Sequence, residues 1–229
     1  MAAKIFAVAE PNPSEDLSTK VGGQFSTILA DPPWQFQNRT GKVAPEHRRL
    51  LRYPTMELKE IMQLPIGRLA AARSHLYLWV PNALLQEGLR VMEAWGFTYK
   101  TNMVWLKVRK DGGPDGRGVG FYFRNVTEML LFGVRGSMRT LGPGRSQVNV
   151  MATRKREHSR KPDEVYEIIE ACSPGPYLEV FARFCRPGWR QWGNEDVEEN
   201  SRHNVALRKG HADLQLRLLE SPRGYSGKR

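Results

Sequence analysis

Residues 31–34, Asp-Pro-Pro-Trp, end an apolar run over 25–30 with a carboxylate, two prolines and a large aromatic ring. Proline has no N–H to give a ladder and blocks helix interiors, so a strand over 25–30 must stop at Asp31. The chain then makes a stiff turn that presents a carboxylate beside the fixed carbonyl of Pro32. Two acceptors at set separation suit an exocyclic NH2, which has two hydrogens to donate. Accepting both draws the nitrogen lone pair out of conjugation and toward nucleophilic geometry. Pro33 stiffens the corner, and Trp34 would add a flat face for stacking, worth about 1–3 kcal/mol per base. The plain alternative is a proline-stiffened strand end over a core tryptophan. Acid, proline pair and aromatic converging at one strand end weigh about four to one for chemistry.

Such a turn needs a scaffold. Strand-like runs over 25–30, 74–80, 99–108 and 127–136 alternate with helical spacing over 55–64 and 82–96. Thr55 and Asn82 read as helix N-caps and Gly96 as the C-cap. A short strand over 147–153 comes next, then a helix with Pro162 at its first position and Asp163 and Glu164 in its first turn. Strands over 177–184 and within 187–195 complete the set. Residues 1–24 read as an irregular lead-in, and 196–229 as an extension, partly helical and then disordered. Strands alternating with helices predict one α/β domain over 25–195 with a mostly parallel sheet covered on both faces. In such sheets ligands bind outside the carboxyl ends of the strands, where Asp31 falls. The glycine-rich stretch 109–125 has no dinucleotide-loop context and reads as a loop lining the target.

The bulk composition narrows the partners. The 229 residues carry 35 Lys and Arg against 24 Asp and Glu, a net charge of +11, with a pI near 9.9 and mean hydropathy of −0.53. Basic residues crowd 45–53, 107–113 and 153–161 without helical self-pairing, which points to a polyanion. Arg48, Arg49, Arg52, Lys110, Arg156, Arg160 and Lys161 are the candidate phosphate contacts. A merely solvated basic surface is left about one chance in four. Cys172 and Cys185 form no cluster, and the five histidines are scattered, so no metal site is expected. No apolar run reaches bilayer-spanning length and the N-terminal one is short for a secretory signal, so no membrane and a cytoplasmic location are expected.

The Asp-Pro-Pro-Trp turn after an apolar strand resembles that of the N6-adenine methyltransferases. The tryptophan form is similar to the MT-A70-like family, that of the catalytic subunit of the messenger-RNA adenosine methyltransferase, with single-chain bacterial and phage members acting on DNA. The likeness extends through "HLYLWVPNALLQEGLRVMEAWGFTYKTNMVWLK", "NVTEMLLFGVRG", "HSRKPDEVYEIIEACSPG" and "LEVFARFCRPGWRQWGNE", in the family's order over about residues 25–195. It implies a Rossmann-like sheet with permuted motif order, which brings the ends of 25–30 and 177–184 side by side. It also implies S-adenosyl-L-methionine as cofactor, with Phe181, Arg183, Asn194 and Glu195 holding it. Asp31 and the Pro32 carbonyl would orient the target amine.

The chain also departs from the family pattern. Glu195 stands where some relatives have an amide, and Cys185 where many have His. A lysine that holds the cofactor's carboxylate in the messenger-RNA enzyme falls near Thr127, leaving Arg124 as substitute. The implied activity is N6-adenine methylation of DNA, by an intracellular bacterial or phage enzyme, with room for a homodimer. The same reaction on RNA and a catalytically silent nucleic-acid-binding partner are the alternatives; the intact turn speaks against the second.

Overall fold

The computed structural model describes residues 13–35, 55–116, 122–154 and 160–193. Expectations for Arg48, Arg49, Arg52, Arg156, Asn194, Glu195 and the extension beyond 195 lie outside these residues.

Helix α1 (Pro13–Val21) replaces the second half of the expected lead-in. Its amphipathic turn buries Leu17 and Val21. Strand β1 (Phe25–Ala30) comes next, then the short helices α2 (Leu58–Gln63) and α3 (Ile66–Leu69). The N-cap of α2 is Glu57, not Thr55: its backbone N–H donates to Glu60 Oε2 at 2.7 Å, which satisfies an otherwise orphan donor. Strand β2 (Ala70–Val80) is followed by a 3-10 turn (Asn82–Leu84) and α4 (Leu85–Ala94). Asn82 does not cap this helix. Its side-chain amide donates to the carbonyl and hydroxyl of Thr127, at 3.1 and 2.9 Å, and pins the start of a distant strand. Gly96, at φ +82°, ends the helix as expected.

Strands β3 (Thr98–Val108), β4 (Thr127–Arg135) and β5 (Val150–Arg154) precede α5 (Glu164–Cys172). Helix α5 starts two residues after Pro162, with Asp163 as its N-cap. Strands β6 (Tyr177–Val180) and β7 (Trp189–Trp192) complete the described fold. The expected strand over 177–184 is cut to four residues because Phe181 takes φ +68°, a left-handed conformation incompatible with a ladder.

Seven strands form one sheet in the order β5-β3-β4-β2-β1-β6-β7. All pairings are parallel except those of β4, which runs against β2 and β3. The sheet is therefore mixed, with one reversed strand inside an otherwise parallel array. β1 pairs β2 on one side and β6 on the other, in register Ala30↔Leu78 and Ala30↔Val180. The order turns back on itself at β1, which makes the carboxyl ends of β1 and β6 the switch point where α/β sheets bind ligands.

Alternation along the strands sorts the core into two halves. Ile28, Ala30, Leu76, Leu78, Leu178 and Val180 pack with residues of α1 to α4. Leu29, Tyr77, Trp79, Trp105 and Leu130 pack with Val165, Ile168 and Ile169 of α5. Burying one such Leu or Ile contributes about 1.5–3 kcal/mol. The first helix is fastened to the last strand: Trp192 Nε1 donates to Asp16 Oδ2 at 2.8 Å and Arg190 Nη2 to the Lys20 carbonyl at 2.6 Å.

Candidate active site

The turn after β1 is built by the residues that end the strand. The Asp31 N–H still reaches Val180 O at 3.4 Å, the last link between β1 and β6. Pro32 and Pro33 give no further donor, and the chain folds back so that the Trp34 N–H reaches Pro32 O at 2.8 Å. The Met56 N–H then donates to Pro33 O at 2.9 Å. The Pro32 carbonyl keeps a second lone pair for another donor. Trp34 itself is 6% exposed and packs in the core with its Nε1 donating to Trp79 O at 2.9 Å. This corrects the expected stacking face: a large apolar ring beneath a corner gains more from burial, and here it braces the turn from below.

Asp31 lies two residues beyond Leu29, hence on the α5 side of the sheet. Its Oδ1 meets Lys161 Nζ at 2.9 Å, and the same ammonium meets Glu128 Oε2 at 3.2 Å. Lys107 Nζ pairs with the other oxygen of Glu128. The result is a chain of alternating charge, Asp31–Lys161–Glu128–Lys107. Each lysine also lies over an indole, Lys161 at 5.5 Å from the Trp79 ring and Lys107 at 4.9 Å from Trp105. Burial pushes the Asp31 carboxyl up from its ordinary value, while Lys161 and Arg183 pull it down and Glu128 adds to the rise. Burial works the same way on Glu128, yet its two lysines hold it below the usual range. Lys161 is held protonated, its pKa raised against burial by the two carboxylates.

A second carboxylate shares this side. Glu179 of β6, the register partner of Leu29, accepts from Tyr166 Oη at 2.7 Å and Gln191 Nε2 at 2.8 Å. Burial raises it to about 7, the two hydrogen bonds offset part of that rise, and Asp31 adds to it. Just past β6, Phe181 turns its ring against Trp192, centroids 5.4 Å apart. The ends of β6 and β7 touch closely. A side chain at Gly193 would bring a Cβ within 2.0 Å of the Ala182 carbonyl oxygen, so only glycine fits there. Asp31, Lys161, Glu179, Phe181 and Arg183 line one cavity of about 40 Å³.

The fold thus brings together Asp31, Phe181 and Arg183 from opposite ends of the sequence. Two expected phosphate contacts move elsewhere. Lys161 points into the cleft onto Asp31. Arg160 is 6% exposed, pairs with Asp163 at 3.0 Å and lies over Phe184 at 4.7 Å. Lys110 is exposed in the turn after β3. Arg124 does not line the Asp31 cavity; it donates to the Gly116 carbonyl at 3.3 Å. Glu128, Lys107, Glu179 and Tyr166 escaped the sequence reading. A signal was present: a carboxylate inside a buried apolar run, as in "TEMLLF" and "YLEVF", must find a partner.

A twisted α/β sheet with one reversed strand, whose switch-point cleft holds paired carboxylates and a cation, is a Rossmann-like methyltransferase fold. The MT-A70 family profile matches residues 25–195, and the chain belongs to that family. It is 29% identical over 179 residues to a Medicago truncatula protein named "Putative N(6)-adenosine-methyltransferase MT-A70-like", covering 76% of this chain and 26% of that protein. The human "N(6)-adenosine-methyltransferase catalytic subunit METTL3" is 28% identical over 183 residues, 78% of this chain and 29% of METTL3. "Type II methyltransferase M.MunI" of a Mycoplasma species is 29% identical over 188 residues, 75% of this chain and 78% of M.MunI. The chain thus spans about a quarter of the plant relative's length and most of M.MunI's.

MT-A70 methyltransferases use S-adenosyl-L-methionine as methyl donor. The cleft's donor set fits that molecule. Its sulfonium and ammonium are cations that Asp31 and Glu179 can face, its carboxylate suits Lys161 or Arg183, and its flat base suits Phe181. No helix of the described residues is long and apolar enough to cross a membrane.

Proposed function

We propose that this protein transfers a methyl group from S-adenosyl-L-methionine to the N6 amine of adenine in DNA. The observation that supports it most is the meeting of Asp31, at the head of the proline turn, with Glu179, Phe181 and Arg183 in one cleft at the switch point. S-adenosyl-L-methionine, when bound, supplies an electrophilic methyl on sulfur. Asp31 and Pro32 O accept the two amine hydrogens and turn the nitrogen lone pair toward that methyl. The proton lost by the methylated amine passes to Asp31 or to solvent, and no covalent enzyme intermediate is needed. Lys161 favours the ionised form of Asp31 against the burial that raises its pKa, and its 2.9 Å contact occupies one of the acceptor oxygens. The second carboxylate oxygen of Asp31 is left to accept from the incoming amine while Lys161 stays on Oδ1. Because a duplex hides the N6 atom, adenine is extruded or met in a single strand.

DNA is preferred to RNA because the match runs over 78% of the Type II methyltransferase but only 26–29% of the plant and human N(6)-adenosine enzymes. The deciding experiment incubates the full chain with tritiated S-adenosyl-L-methionine and double-stranded DNA, single-stranded DNA or RNA. Products are digested to nucleosides and identified. N6-methyldeoxyadenosine is the expected product; label on cytosine, or label confined to RNA, overturns the substrate assignment.

A further inference from the structure

A second cleft lies toward the opposite end of the strands, on the same side of the sheet. Its volume is about 540 Å³, within the range of small-molecule sites. Phe132 and Val134 of β4 line it together with Lys100 at the start of β3 and the segment Gly136–Thr140, and Arg145 closes the rim. Lys100, Arg139 and Arg145 are exposed. No acidic residue lines the cleft, and none of the three cations has a partner among the described residues. This differs from the Asp31 end, where each lysine meets a carboxylate.

The wall that carries two of these cations is fixed. Arg73 Nε donates to Ser137 O at 2.8 Å, and the Leu141 N–H donates to Cys172 O at 2.8 Å. Gly144 packs bare backbone against the end of α5: a Cβ there would stand 2.4 Å from Cys172 Sγ. Three like charges gathered on a preformed concave wall repel one another, and an anion removes that repulsion. Arginine forks match phosphate oxygens in a bidentate manner, and the apolar floor suits the organic part of such a ligand.

We infer that this cleft is a phosphate-binding site for a phosphorylated ligand of nucleotide size, gripped by Lys100, Arg139 and Arg145 with its apolar part on Phe132. The ligand is a free nucleotide or one nucleotide of a bound strand; the recognising chemistry is the same. The inference is independent of the methyl-transfer reading, since no residue is shared with the Asp31 cleft.

The test is isothermal titration of the full chain with thymidine 5′-phosphate and with a twelve-residue oligothymidylate, neither of which offers adenine to the Asp31 cleft. The double variant R139E/R145E is expected to weaken the bound ligand at least about tenfold, the scale of lost charge-assisted hydrogen bonds. The control R68E/R90E makes the same change in net charge at exposed sites on α3 and α4 and is expected to cost far less. A loss on thymidine 5′-phosphate identifies a free nucleotide, and a loss on the oligonucleotide alone identifies a strand. If R139E/R145E fails to fold by circular dichroism, R139Q/R145Q replaces it. Equal losses in both double variants, or no binding of either ligand to the unmodified chain, overturn the inference.

Discussion

The two sides of the sheet are made by the same strands, yet they differ in kind. Toward α1 to α4, β1, β2 and β6 present Ile28, Ala30, Leu76, Leu78, Leu178 and Val180, all apolar. Toward α5 the alternate positions include His75, Tyr77, Glu179 and, just past β1, Asp31. His75 Nδ1 and Tyr77 Oη both meet Ser173 Oγ at 2.7 Å, so even far from the cleft this side carries polar networks. The difference teaches a division of labour along a period of two: one side supplies cohesion, and the other spends some of it to hold charge in place.

Single substitutions can break or sharpen that contrast. On the polar side, Asp31→Ala removes the carboxylate proposed to face the amine. Turnover is expected to fall by about 10²–10³-fold or more, measured by methyl transfer from labelled donor, with the circular dichroism spectrum kept. On the apolar side, Leu78→Ala should cost about 2–5 kcal/mol of stability, read from denaturant unfolding, with turnover per folded molecule little changed. If the two variants lose the same property, the division fails.

Lys161→Met tests the charge chain itself. It leaves Asp31 and Glu128 without their shared cation, and the partial exposure of this cluster limits the expected loss to about 1–3 kcal/mol. Thermal unfolding checks it, with the loss greatest above the pH at which Asp31 ionises. The smallest effect concerns Glu179. Its folded pKa of about 7 lies above the ordinary 4.5, so the folded chain binds a proton more tightly than the unfolded one. Stability contributed by that proton is present at low pH and is lost as pH rises from about 4.5 to about 7. Glu179→Gln should flatten this slope in denaturant titrations across that window, and an unchanged slope would assign it elsewhere.

The sequence shows the corner after β1 because proline makes it local: Pro32 and Pro33 forbid both alternatives to a turn, whatever lies around them. The apolar runs likewise reveal β1 to β4 and the alternation of helix and strand. The hidden features are those decided across the sheet. Lys161 looks like one more cation in a basic loop until β4 brings Glu128 beside it. Trp34 looks like an open face until the fold sets Trp79 against it. The reversal of β4 has no local signature, since an apolar strand reads alike in both directions. The shortening of β6 comes from one backbone angle at Phe181, which no side-chain pattern announces.

The fastening of α1 to β7 and of β1 to β6 carries a consequence for biogenesis. Asp16 and Trp192 lie 176 positions apart, and Thr27 pairs with Tyr177. Ribosomes release chains from the N-terminus, so the carboxylate-bearing turn emerges long before the strand that completes its cleft. Closing so large a loop is entropically costly until β6 and β7 are available to dock. The cleft beside Asp31 is thus assembled only after β6 has been made, and a nascent chain holding β1 to β5 lacks its Glu179 and Phe181 wall.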